Sequence, residues 1–185
     1  MSIVSTYNEN APIVLIGLMG AGKTTIGRRL ARALNLDFVD SDHEIEIAAD
    51  MSVAELFESY GETEFRSLER RVISRLMDGT QKVLATGGGA FINAQTRKLI
   101  LDGALTIWLE ADLETLVERT SRRDSRPLLN EGNPQDILQK LIEERYPIYK
   151  LAPIHVVSSD GPHEDVVKTA VKQIKDFREK VNAPI

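Results

Sequence analysis

Ile13-Val14-Leu15-Ile16-Gly17-Leu18-Met19-Gly20-Ala21-Gly22-Lys23-Thr24 is an apolar run that breaks into a glycine-rich turn carrying a lysine and a threonine. Branched aliphatic side chains in unbroken succession read as a strand buried on both faces. From Gly17 onward the residues fit G-x-x-x-x-G-K-[ST] between that strand and a following helical pattern, the context a phosphate-binding loop requires. Glycines let successive backbone N–H groups turn toward one concavity without Cβ interference. The helix behind adds the positive end of its dipole. Gly20, Ala21, Gly22, Lys23, Thr24 and Thr25 are therefore the expected nucleotide contacts, with Lys23 on the β/γ-phosphates and the Thr24 hydroxyl toward Mg²⁺. The plain alternative is a strand-to-helix turn with a solvated lysine.

The rest of the composition bounds the class. With 185 residues, 42% of them hydrophobic, the chain suits one domain over 1–185 with one core. No apolar run approaches the ~20 residues of a membrane span. Residues 1–11 lack the basic-then-apolar pattern of a secretory leader and read as a short N-terminal extension. Zero cysteines exclude disulfides, thiolate metal sites and thiol nucleophiles, and make the cytoplasm the expected address. A net charge of −5 argues against a general nucleic-acid binder, so no nucleic-acid or membrane partner is expected. An acidic chain that handles phosphates must concentrate its arginines at the site.

Short apolar runs near 12–17, 36–39, 82–86, 104–109 and 154–158 alternate with helical patterns near 23–34, 43–49, 53–78, 94–102, 112–122, 134–149 and 163–181. Strands separated by helices imply crossovers and an α/β fold with a covered parallel sheet. Ligands of such sheets sit beyond the carboxyl ends of the strands. The first strand delivers the phosphate loop there, the second Asp40-Ser41-Asp42, the third Gly87-Gly88-Gly89.

Each segment has a chemical and a plain reading. Asp40 and Asp42 point the same way in an extended segment. One suits a metal held directly or through water, the other a hydroxyl proton of a phosphoryl acceptor. Alternatively Asp40 is only a helix N-cap. The three glycines are costly in backbone entropy unless a ligand must approach the main chain closely. Arg66 lies among Glu62 and Glu69 at helical spacing, and Arg145 follows Glu143-Glu144, so surface ion pairing alone would explain either. The four arginines of 119–126 are either a solvated loop or a lid closing on transferring phosphates. His43, His155 and His163 form no ligand spacing, and Trp108, Phe38 and the stripe Val166, Val167, Ala170, Val171, Ile174 read as core.

As an ordered set, the phosphate loop, Asp40-Ser41-Asp42, Phe65-Arg66, Gly87-Gly88-Gly89, Arg126-Pro127-Leu128-Leu129 and Arg145-Tyr146-Pro147-Ile148-Tyr149 resemble shikimate kinases, from about Pro12 to about Lys180. The resemblance implies the nucleoside monophosphate kinase fold, a three-layer arrangement around five parallel strands in order 2-3-1-4-5. It also implies substrate-binding helices over about 41–70, a mobile lid over about 121–133, and ATP-dependent phosphorylation of the shikimate 3-hydroxyl. Carried over by position, Lys23 holds the phosphates, Thr24 the Mg²⁺, and Asp40 the metal through water. Asp42 binds the substrate hydroxyls as the catalytic carboxylate, and Arg66 and Arg145 clamp the carboxylate of shikimate. Glu69 orients Arg66, while Gly87, Gly88 and Gly89 set backbone N–H groups against the substrate. Arg126 is the lid arginine and Arg119 stacks near adenine; Gly132-Asn133-Pro134 is one possible hinge. A monomer using ATP and shikimate is expected. Ser41 stands where the family commonly has threonine.

Two rivals remain at this level. A gluconate kinase of the same fold shares the loop and lid, but Arg66, Arg145 and the triple glycine favour shikimate. A nucleotide-regulated switch module lacks support, since neither Asn-Lys-x-Asp nor a switch Asp-x-x-Gly occurs.

Overall fold

A computed structural model describes residues 8–121 and 132–182. Its sheet comprises β1 (Ile13–Ile16), β2 (Asp37–Asp40), β3 (Lys82–Ala85), β4 (Leu105–Glu110) and β5 (Ile154–Val157), in spatial order β2-β3-β1-β4-β5. Every pairing is parallel, with Val14 of β1 opposite Leu84 on one side and Thr106 on the other. The expected order 2-3-1-4-5 is thus the observed one. β1 and β3 are buried at every position, as strands covered on both faces must be. β2 lies at an edge and is only half-buried, which also holds for Phe38, expected in the core. Its ring instead covers Gly27 and carries the Arg28 guanidinium 5.5 Å above it.

Helices α1 (Lys23–Leu34) and α7 (His163–Asn182) pack together; Ile26 and Leu30 are buried on the first, Val166, Ala170 and Ile174 on the second. Val171, expected on that stripe, is only partly buried. Helices α2 (Ser41–Ala49) and α3 (Val53–Leu76) pair beside the β2 edge. The continuous helix expected over 53–78 is interrupted at Gly61, with φ 76° and ψ 174°. Glycine alone adopts that conformation at low cost, so the charged helical pattern on either side concealed the break. Helices α4 (Ala94–Gly103), α5 (Leu113–Ser121) and α6 (Pro134–Tyr149) complete the chain. Asn133 caps α6 by accepting the Gln135 N–H at 3.0 Å, and Pro134 opens its first turn, so two of the three proposed hinge residues begin a helix. Arg126 and most of the expected lid lie outside the described residues. No helix among the described residues is long and apolar enough to cross a membrane.

Candidate active site

The phosphate loop starts tight against β4, where a Cβ at Gly17 would lie 2.6 Å from the Leu109 carbonyl. Gly20 and Gly22 have φ of 84° and 93°, left-handed values that glycine adopts at low cost. Lys23 closes the loop by donating to the carbonyls of Gly17 at 2.8 Å and Leu18 at 2.9 Å. Thr24 donates to Asp40 Oδ2 at 2.8 Å, joining the start of α1 to the end of β2. The other Asp40 oxygen accepts the Asp42 N–H at 3.1 Å and caps α2. Asp40 is therefore a cap and a partner of the loop threonine together.

The triple glycine is where the remaining groups meet. A Cβ at Gly87 would lie 2.6 Å from Asp42 Oδ1 and 3.2 Å from Glu69 Oε1. One at Gly88 would lie 3.5 Å from the Gly17 carbonyl, 3.6 Å from the Met19 nitrogen and 3.6 Å from an Arg145 guanidinium nitrogen. One at Gly89 would collide with the Arg66 guanidinium at 2.2 Å. Asp42, Glu69, Arg145 and Arg66 thus converge on a turn beside the phosphate loop. The sequence reading assigned these glycines to a ligand approaching the main chain. None has a positive φ; Gly87 and Gly89 leave room for Asp42 and Arg66, whereas a Cβ at Gly88 would meet its neighbours at ordinary contact distance. The Gly87 N–H is already engaged by the hydroxyl of buried Ser41 at 3.3 Å.

The ambiguity of the arginines resolves differently at the two positions. Arg66 does pair with its helical neighbours, with Glu69 at 2.7 Å and exposed Glu62 at 3.4 Å. Glu69 is only 1% exposed, however, so this is a buried mount rather than a solvated surface pair. Arg145 leaves its glutamates aside: Glu143 accepts from Gln139 at 2.7 Å and Glu144 pairs with Lys140 at 3.8 Å. Arg119 donates to the Ser158 hydroxyl at 2.9 Å and the Ser159 carbonyl at 2.6 Å, and reaches the Gly20 carbonyl at 3.4 Å. It thereby joins the phosphate loop to the segment after β5. Ser158 and Ser159 were not singled out from sequence; their position at a strand's carboxyl end was the available signal.

Electrostatically the site is a dense mixture of opposite charges. Burial, then the neighbouring Asp40, raises Asp42 from 3.8 to about 6, with Lys23 and Arg66 opposing. Burial likewise raises Glu69 from 4.5 to about 6 against the pull of Arg66. A carboxylate poised near neutrality suits proton acceptance at physiological pH. The Mg²⁺ expected from the motif finds hard oxygen donors in Thr24 and Asp40, held 2.8 Å apart. No cluster of three or more histidine, cysteine or acidic ligands exists among the described residues. One carboxylate plus substrate phosphates is the donor set Mg²⁺ ordinarily uses, so these residues fit it.

Residues 19–175 match the family model described as shikimate kinase. The chain belongs to the shikimate kinase family. It is 52% identical over 171 residues to a shikimate kinase of Brucella canis, spanning 92% of this chain and 86% of that one. Among solved structures it resembles the shikimate kinase from Acinetobacter baumannii in complex with shikimate, with TM-score 0.87 and 35% identity, covering 95% and 98% of the two chains. A gluconokinase from Sinorhizobium meliloti shares only the fold, with TM-score 0.64 and 17% identity over 95% of this chain and 97% of that one. The family match thus separates shikimate kinase from the gluconate-type rival.

Proposed function

We propose that this chain transfers the γ-phosphoryl group of ATP to the 3-hydroxyl of shikimate, giving shikimate 3-phosphate and ADP for aromatic amino acid biosynthesis. The observation that carries the reading is the convergence of Asp42, Arg66 and Arg145 on the triple-glycine turn beside the phosphate loop. Shikimate offers one carboxylate and several hydroxyls, which calls for guanidinium forks and one carboxylate near the acceptor oxygen.

In this reading the backbone N–H groups of Gly20, Ala21 and Gly22, with Thr25, surround the phosphates. Lys23 exchanges the Gly17 and Leu18 carbonyls for phosphate oxygens. Arg119 flanks the adenine, and Arg126 approaches the transferring phosphoryl when the lid over 121–133 closes. Thr24 and Asp40 would hold Mg²⁺, which would supply positive charge to offset that of the phosphates. Arg66 and Arg145 grip the acceptor's carboxylate, and the N–H groups of Gly88 and Gly89 face its ring. Asp42 accepts a hydrogen bond from the 3-hydroxyl and takes its proton as the oxygen–phosphorus bond forms. The bond to the β-phosphate oxygen breaks with its electron pair left on ADP. Because the transition state is loose, alignment and charge neutralisation supply most of the acceleration. The acceptor-binding region spans about 41–70 within a single domain. A monomer acting in the cytoplasm completes the proposal.

Coupled ADP release with ATP and Mg²⁺, comparing shikimate, quinate and gluconate, tests the reading. Turnover with shikimate is expected. Turnover with gluconate and none with shikimate overturns it.

A further inference from the structure

Arg145 and Tyr149 lie four residues apart on α6, so their side chains share one face of the helix. The Tyr149 ring is fully buried against Phe91 and Trp108. Its hydroxyl donates to the Gly88 carbonyl, and the Arg145 guanidinium lies against the same glycine. Arg66 is mounted on two carboxylates, whereas no carboxylate pairs with Arg145 among the described residues. The neutral group that shares the Gly88 turn with it is the Tyr149 phenol.

We propose that Tyr149 is a positioning residue for Arg145: anchored on the Gly88 carbonyl, its phenol oxygen offers the guanidinium a fixed acceptor that aims it at the carboxylate of shikimate. The inference rests on the reading that Arg145 binds that carboxylate. Burial pushes the Tyr149 phenol up to about 12, opposed by the charge of Arg145 and its hydrogen bond to the phenol oxygen. The hydroxyl thus keeps its proton for Gly88 at neutral pH, and its oxygen retains acceptor capacity beside the Arg145 guanidinium, which lies against the same glycine. A neutral acceptor also leaves the full positive charge of Arg145 for the substrate, which a glutamate would partly cancel. Tyr146 fixes the same helix end by donating to the Ala111 carbonyl, so loss of one hydroxyl leaves α6 docked.

The test is a double-mutant cycle of Tyr149→Phe and Arg145→Ala, following KM for shikimate, KM for ATP and kcat. Tyr149→Phe is expected to raise the shikimate KM about tenfold, the scale of one hydrogen bond to a charged group, with ATP KM and kcat unchanged. In the Arg145→Ala background it is expected to add nothing. An unchanged shikimate KM in Tyr149→Phe, or an equal factor in both backgrounds, overturns the positioning role while leaving the Arg145 clamp standing. An unchanged shikimate KM in Arg145→Ala overturns the clamp itself, and the inference with it. If Tyr149→Phe does not fold, Tyr149→Met, which fills the space flexibly without a hydroxyl, carries the comparison. Failure of both to fold makes Tyr149 structural and overturns the proposal.

Discussion

Replacing Glu69 by glutamine should stabilise the protein at the expense of its site. Glu69 is 1% exposed; one oxygen accepts from Arg66 at 2.7 Å, and the other has no hydrogen-bond partner among the described residues. Burial lifts its pKa from 4.5 to about 6. Because the folded pKa exceeds the unfolded one, the folded state binds the proton more tightly. The stability this gives is full below pH 4.5 and lost as pH rises through about 6. Above that window the ionised carboxylate costs about 2 kcal/mol relative to an unburied one. Glutamine keeps an acceptor for Arg66, removes the buried charge and turns the orphaned oxygen into an amide beside Asp42. Urea unfolding of Glu69→Gln should show a gain of about 2 kcal/mol at pH 8, shrinking toward zero at pH 4, with Tm about 4–8 °C higher at the upper pH. The shikimate KM should rise together with the stability, because a neutral amide holds Arg66 more weakly than a carboxylate does. A stability difference independent of pH, or a net loss at pH 8, would refute the reasoning.

Other perturbations separate the parts of the site. Asp42→Asn should lower kcat about a hundredfold or more, with ATP affinity measured by calorimetry largely kept. In the unsubstituted enzyme kcat/KM should fall as pH drops through about 6, where Asp42 gains the proton that disables it as a base. Gly89→Ala puts a methyl where the Arg66 guanidinium lies, 2.2 Å away, but that guanidinium ends a flexible side chain. Displacing Arg66 leaves buried Glu69 without its partner, so the variant should show both a lowered Tm and a raised shikimate KM, and unaltered kinetics would place Arg66 outside the acceptor site.

The strand order and the phosphate loop were legible because both are local: unbroken apolar runs separated by helical patterns admit few topologies, and a glycine pattern fixes a loop. Gly61 was not legible, since helical residues on both sides sustain the pattern across it. Glu69 as the orienter of Arg66 came with the family resemblance, but its burial was hidden for a related reason. In sequence it is one charge in a charged helix, and only the packing of α3 against the triple glycine buries it. Arg145 was undecidable because Glu143 and Glu144 offered partners at helical spacing, while the choice of Gln139 and Lys140 depends on which face of α6 meets the sheet. The triple glycine was noticed for its entropy cost, yet at Gly87 and Gly89 what forbids a Cβ is the bulk of Asp42, Glu69 and Arg66, which no local pattern encodes. Tyr149 carried one faint signal, its spacing of four from an arginine.

The claim that these groups align a γ-phosphoryl with one particular hydroxyl is tested most directly by identifying the product. Incubation with ATP, Mg²⁺ and shikimate, followed by two-dimensional phosphorus–proton NMR, should give one phosphate monoester coupled to the proton on carbon 3. A phosphate coupled elsewhere on the ring, or inorganic phosphate as the sole product, would contradict the account.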